Sequence, residues 1–189
     1  MGEITDTVET VESISTAYTI DAGDHEIKYE VIDNVIHPDE FKKIKEFILN
    51  SNFPWNFTPT VTNEEQNLPT IASYYFTHQF WSGFNTGQQT QIFAPILNRL
   101  ECKALMRVKG NLYPSTETIV HHDNHIDYEF SHRGAILYIN TNNGLTILED
   151  SIEIESIENR LLLFDASRPH RSTTCTDEKC RVNVNFNFF

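Results

Sequence analysis

The last stretch of the chain alternates without a break. In Arg181-Val182-Asn183-Val184-Asn185-Phe186-Asn187-Phe188 every second residue is apolar. In an extended strand Val182, Val184, Phe186 and Phe188 therefore leave one face, and Arg181, Asn183, Asn185 and Asn187 leave the other. A helix would scatter both sets around its axis. A second segment has the same build: Arg107, Lys109, Asn111 and Tyr113 alternate with Met106, Val108, Gly110 and Leu112. The polar faces have two readings, a wet outer surface of an antiparallel sheet or a polar interior, and periodicity alone leaves both open.

The rest of the chain fits around such strands. Further strand segments are expected at Ala135 to Asn140, Thr146 to Leu148, Ile152 to Glu155 and Arg160 to Phe164, separated by Asn-Gly and Glu-Asp turn signals. Upstream, Tyr18 to Ile36 is expected as a strand on the alternation of Glu26 to Ile32. Pro38 then opens a helix to about Asn50, with Phe41, Ile44, Phe47 and Ile48 on one face. Gln91 to Leu100 reads as a second amphipathic helix through Ile92, Ile96, Leu97 and Leu100. Residues 51 to 89 are aromatic with little period, and they read as core and loop anchors that also suit a wall facing a substrate. Helices followed by short strands predict a mostly β fold with flanking helices, a double-stranded β-helix or jelly roll.

One domain suits 189 residues. The expected division is a mobile acidic tail over 1–17 and a single domain over 18–189, with helical support at 38–100 and a jelly-roll core at 105–189. A net charge of −13 counts against affinity built on phosphate neutralisation, so nucleic acid ranks low as a partner. Cys102, Cys175 and Cys180 follow no apolar signal segment, which points to free thiols in a reducing cytoplasm. No run approaches the ~20 apolar residues that span a bilayer.

Chemistry concentrates late in the chain. His125 and Asp127 are two apart, so in an extended segment both side chains can meet one ion. With a distant His170 they supply the donors of a two-histidine, one-carboxylate iron site that leaves positions open for a cosubstrate and O₂. Arg181, eleven residues beyond His170, could anchor a dicarboxylate. His121 and Asp123 form a rival pair, and His132 lies close as well. The same donors also suit Zn²⁺. A zinc hydrolase, or a jelly roll that binds a metal or sugar without catalysis, is thus an alternative.

An ordered set of segments resembles the Fe(II)/2-oxoglutarate-dependent dioxygenases, in the prolyl 4-hydroxylase-like branch of phage and marine microbial genomes. It consists of Lys109-Gly110-Asn111-Leu112-Tyr113, His125-Ile126-Asp127, Ala135 to Thr141, Asn143-Gly144-Leu145-Thr146, Glu158 to Leu161, Phe164-Asp165-Ala166, His170 and Arg181 to Phe186. The resemblance covers about residues 105 to 188. It implies His125, Asp127 and His170 as iron ligands and Arg181 as the partner of the distal carboxylate of 2-oxoglutarate. Tyr113, Asn183 and, more weakly, Asn111 would help hold the cosubstrate. The implied reaction couples O₂-dependent decarboxylation of 2-oxoglutarate to hydroxylation of a C–H bond. The branch points to a prolyl residue of a peptide or protein, with small molecules also open, in the cytoplasm of a microbial or phage-infected cell.

Overall fold

The structure, a computed structural model, describes residues 12–61, 72–83, 85–86 and 88–189. Two antiparallel sheets carry the fold. In chain order the strands are β1 (Ile14–Asp21), β2 (Glu26–Asp33), β3 (Asn56–Thr58), β4 (Tyr75–Ser82), β5 (Asn85–Thr86), β6 (Leu105–Pro114), β7 (Arg133–Tyr138), β8 (Asn142–Leu148), β9 (Ile152–Ser156), β10 (Leu161–Asp165), β11 (His170–Ser172) and β12 (Cys180–Phe188). The helices are α1 (Pro38–Ile48) and α2 (Ala94–Arg99), the latter preceded by a 3-10 segment, Gln88–Phe93. The large sheet runs β1-β2-β10-β7-β12-β6-β4-β3, with β5 on β4, and the small sheet runs β11-β8-β9. This is the expected jelly roll, mostly β with flanking helices.

Alternation decides which residues go where. Val182, Val184, Phe186 and Phe188 of β12 join Leu161 and Leu163 of β10 and Ala135 and Leu137 of β7 in one cluster. That cluster also takes Phe41, Ile44 and Ile48 of α1 and Ile96 of α2. The intervening residues Ile136, Tyr138, Leu162 and Phe164 turn the other way and pack on Leu148, Ile152 and Ile154 of the small sheet. Each large aliphatic or aromatic side chain so buried stabilises the fold by roughly 1.5–3 kcal/mol. Helix α1 begins where Pro38 fixes φ, with His37 accepting from the Asp39 N–H and Asp39 and Glu40 at the positive end of the dipole.

Three expectations need correction. The single strand from Tyr18 to Ile36 is a hairpin, β1 and β2, broken at Ala22 to His25, where Gly23 takes φ +89°. Ile14 to Ala17, expected in the mobile tail, are the first half of β1, an edge strand exposed along its whole length; residues 1–11 lie outside the described residues. Third, the aperiodic stretch 51 to 89 holds β4, eight residues long and paired to β6, so the support at 38–100 is not only helical. A bulge between Gln79 and Trp81 disrupts its alternation, and Phe80 and Trp81 both pack on the helix-side core. Residues 62–71 of the same stretch lie outside the described residues.

Candidate metal centre and its cavity

The polar faces of β12 and β6 turn inward. Arg107, Lys109, Asn111 and Tyr113 of β6 and Asn183 and Asn185 of β12 line a cavity of about 200 Å³ between the sheets, together with Tyr75, His125, Asp127, Thr146, His170, Arg171 and Ser172. Register explains the convergence, because Arg181 pairs with Tyr113, Asn183 with Asn111 and Asn185 with Lys109.

At one end, His125, Asp127 and His170 each offer a ligand atom, all within 4.8 Å of one another. The loop carrying His125 is tied to β11 by two backbone bonds of 2.9 Å, from His125 N–H to the His170 carbonyl and from His170 N–H to the His125 carbonyl. The Asp127 N–H donates to the Ala166 carbonyl at 2.9 Å. Nδ1 of His170 donates to the Arg168 carbonyl at 3.0 Å, and its buried Nε2 has no partner. That tautomer leaves Nε2 bare, the state a metal ligand needs. Burial lowers the His170 pKa and keeps the ring neutral.

Asp127 is held at both oxygens: Arg107 Nη2 donates at 2.6 Å and Asn187 Nδ2 at 2.8 Å. Arg107 Nε also donates to Asn187 Oδ1 at 2.9 Å, closing a triangle. Burial pushes the Asp127 carboxyl up, but the Arg107 charge and the hydrogen bonds from Asn187 and Arg107 outweigh it and hold it down to about 2. His121 and Asp123 are exposed and stay outside the metal-ligating group. His132 contacts Asn187, its Nε2 lying 3.1 Å from Nδ2.

In contact with two of the lining residues, Tyr113 and Thr146, lies Arg181, fully buried. Its Nε donates to Ser156 Oγ at 2.9 Å and its Nη2 to Thr146 Oγ1 at 2.8 Å. Nη1 is buried with no partner. Tyr113 and Tyr138 flank the guanidinium, their ring centroids 5.6 and 5.9 Å away. Among the described residues no carboxylate forms an ion pair with Arg181, and burial lowers its pKa against the opposing pull of Tyr138 and Tyr113. Gly144 makes the room: a Cβ there would lie 2.6 Å from Arg181 Cδ and 2.8 Å from the Thr174 carbonyl. Asn111 Nδ2 donates to Asn183 Oδ1 at 3.0 Å, so these two amides partly satisfy each other.

Four contributors have a role that a single sequence does not show, although Arg107 and Asn187 stand on its alternating polar faces. Arg107 and Asn187 reach Asp127 only through the fold. Ser156 closes the Arg181 cradle from β9. His122 is buried, with Nδ1 2.8 Å from Ser172 Oγ, its ring stacked on Tyr113 and its Nε2 unmatched. Burial first, and then the nearby Arg181 charge, lower its pKa to about 3. The three cysteines are free thiols, with Cys175 buried and Cys180 opening β12.

No protein-family model and no curated protein matches the sequence. Solved structures do match. A prolyl hydroxylase from Trichoplax adhaerens, in complex with a hypoxia inducible factor oxygen degradation domain peptide fragment, is similar at a TM-score of 0.62 and 12% identity, over 85% of this chain and 83% of that one. A prolyl-4-hydroxylase from Pseudomonas putida matches at 0.54 and 15%, over 85% and 91%. The non-heme alpha-ketoglutarate-dependent epimerase SnoN from nogalamycin biosynthesis matches at 0.57 and 11%, over 85% and 77%. The chain has the fold of the 2-oxoglutarate and Fe(II) oxygenases, prolyl hydroxylases among them.

Proposed function

We propose that this protein is an Fe(II)- and 2-oxoglutarate-dependent dioxygenase that hydroxylates a C–H bond of a peptide, protein or small molecule. One observation carries the reading: three donors within 4.8 Å of one another line a cavity whose wall residues Tyr113 and Thr146 also contact the buried Arg181, a guanidinium with an unpartnered Nη1. The donor set is the one non-heme Fe(II) oxygenases use. An unmatched buried N–H costs about 1–3 kcal/mol, and a carboxylate reaching Nη1 would remove that cost. The residues present therefore fit both groups.

His125, Asp127 and His170 would hold the metal. Arg181, with Tyr113 beside it, would receive the distal carboxylate of 2-oxoglutarate, and Asn183 and Asn111 would line its path. The bound iron, with 2-oxoglutarate and O₂, would supply the oxidising power for C–H hydroxylation, releasing succinate and CO₂. The protein's share is position and exclusion of water. Arg107 and Asn187 orient Asp127, and the Arg168 carbonyl fixes the His170 tautomer. A peptide or protein substrate draws support from the peptide carried by the Trichoplax neighbour.

Succinate formation from 2-oxoglutarate with added Fe(II) and ascorbate tests the proposal. Asp127→Ala is expected to abolish it, and Arg181→Ala to raise the 2-oxoglutarate concentration needed for half-maximal rate. Wild-type succinate production by both variants would overturn the assignment.

A further inference from the structure

The cavity carries more positive charge than the proposed reaction uses. Of its lining residues, Arg107, Lys109 and Arg171 are cationic and Asp127 alone is acidic, in a chain whose net charge is −13. Arg171 is answered outside the cavity by an ion pair with Asp150. A divalent metal, the Asp127 carboxylate and a 2-oxoglutarate dianion leave one negative charge, which Arg181 cancels. Arg107 and Lys109 remain over. Arg107 at least shares Asp127 with the metal; among the described residues Lys109 has no ion-pair partner.

The position of Lys109 is specific. Its Nζ donates to the Tyr75 hydroxyl at 2.8 Å and lies 5.0 Å from the centre of that ring. The Tyr75 ring in turn stacks on Tyr113 at 5.3 Å. An ammonium has three donors, and one is used. Because the Tyr75 oxygen accepts from Lys109, its O–H is free to point elsewhere. Two donors on one wall, an N⁺–H and an O–H, match the two oxygens of a carboxylate, and charge-assisted bonds of this kind are about twice as strong as neutral ones. On β6 Lys109 lies between Arg107, which contacts Asp127, and Tyr113, which flanks Arg181.

We propose that the substrate presents a carboxylate to Lys109 and Tyr75, so that the enzyme acts on a C–H bond of an acid. The proposal rests on the oxygenase reading and narrows its substrate class. Lys109 and Tyr75 are binding residues here, since Arg181 already accounts for the cosubstrate.

The test uses the full chain loaded with Fe(II) and saturating 2-oxoglutarate under nitrogen, loading being read first from the visible absorption of the complex. Propionate and propionamide, alike in shape and different in charge, are then titrated, and binding is followed by broadening of their NMR lines. Propionate is expected to half-saturate at a concentration about tenfold below propionamide, the factor one charge-assisted bond is worth. Lys109→Gln should erase the difference while moving 2-oxoglutarate half-saturation by less than about twofold. Tyr75→Phe, which removes only a hydroxyl, should reduce the preference in part and covers a Lys109 variant that fails to fold. Equal binding of acid and amide would overturn the proposal, as would a preference that survives both variants. So would a Lys109→Gln loss that falls on 2-oxoglutarate instead. A second pair, N-acetyl-aspartate N-methylamide and its asparagine counterpart, separates sources: tighter binding of the aspartate derivative than of propionate assigns the carboxylate to an acidic residue of a peptide, and the reverse to a free small acid. A wild type that never forms the coloured complex would instead count against the oxygenase reading, and the acid-over-amide preference, read by the same line broadening, would then be judged by itself.

Discussion

The two faces of β12 and β6 are built from the same strands and do opposite things. On the helix side Val182, Val184, Phe186 and Phe188 are fully buried and apolar, and they pack in one hydrophobic cluster. On the cavity side Arg181 Nη1, Asn185 Oδ1 and, from β11, His170 Nε2 are buried polar atoms without partners. Each such atom costs the free protein about 1–3 kcal/mol. The pairing shows how a small domain keeps a ligand-ready interior: one face of a strand supplies burial, and the other holds unsatisfied groups that only a ligand completes.

The largest contrast is available by cutting one face at a time. Phe186→Ala should lower unfolding free energy by about 3–5 kcal/mol, read as a shifted urea midpoint, while the folded fraction keeps its 2-oxoglutarate half-saturation. Asp127→Ala should do the reverse, abolishing succinate formation in the fraction that stays folded, whatever the shift in the urea midpoint from the unpaired Arg107. A Phe186 variant that loses cosubstrate binding while still folded would break the separation. Arg107→Met should have a smaller effect, weakening metal affinity by about 10–100-fold, the range for residues that orient a metal ligand, as followed by chelator competition. Smallest is a pH effect at His122. Its folded pKa, about 3, lies below the ordinary histidine value of 6.5, so its contribution to stability is complete above pH 6.5 and is lost as pH falls through that window toward 3. His122→Phe should flatten that part of the urea-midpoint profile, and an unchanged profile would argue that the ring is not buried neutral.

Much of this contrast could be read before folding. Strict alternation in Arg181 to Phe188 and in Met106 to Tyr113 is a local signal, and it assigns each residue to a face whatever the neighbours are. The choice between a wet face and a polar interior was not local, because it depends on the small sheet closing over β12 and β6. The order of His125, Asp127, His170 and Arg181 was legible as residue types at a spacing. The Arg107 and Asn187 clamp on Asp127 was not, because it joins residues 20 and 60 positions apart. Gly144 stands in the sequence as a turn signal, and only the 2.6 Å approach of Arg181 Cδ gives it a second reason. In β4 the bulge disrupts the period, while in the first half of β1 Ile14 stands among Ser15, Thr16 and Ala17, where an acidic, threonine-rich composition hides the strand.

The space between the two sheets is proposed to hold a metal at His125, Asp127 and His170 and a dicarboxylate that reaches Arg181. Anaerobic titration of 2-oxoglutarate into the protein with Fe(II), followed by visible absorption, tests it most directly. The expected result is a band that saturates at one equivalent in the wild type, disappears in Asp127→Ala, and needs at least about tenfold more 2-oxoglutarate in Arg181→Met, the loss expected for a charge-assisted bond. No band in the wild type, or the same band at the same concentrations in both variants, would contradict it.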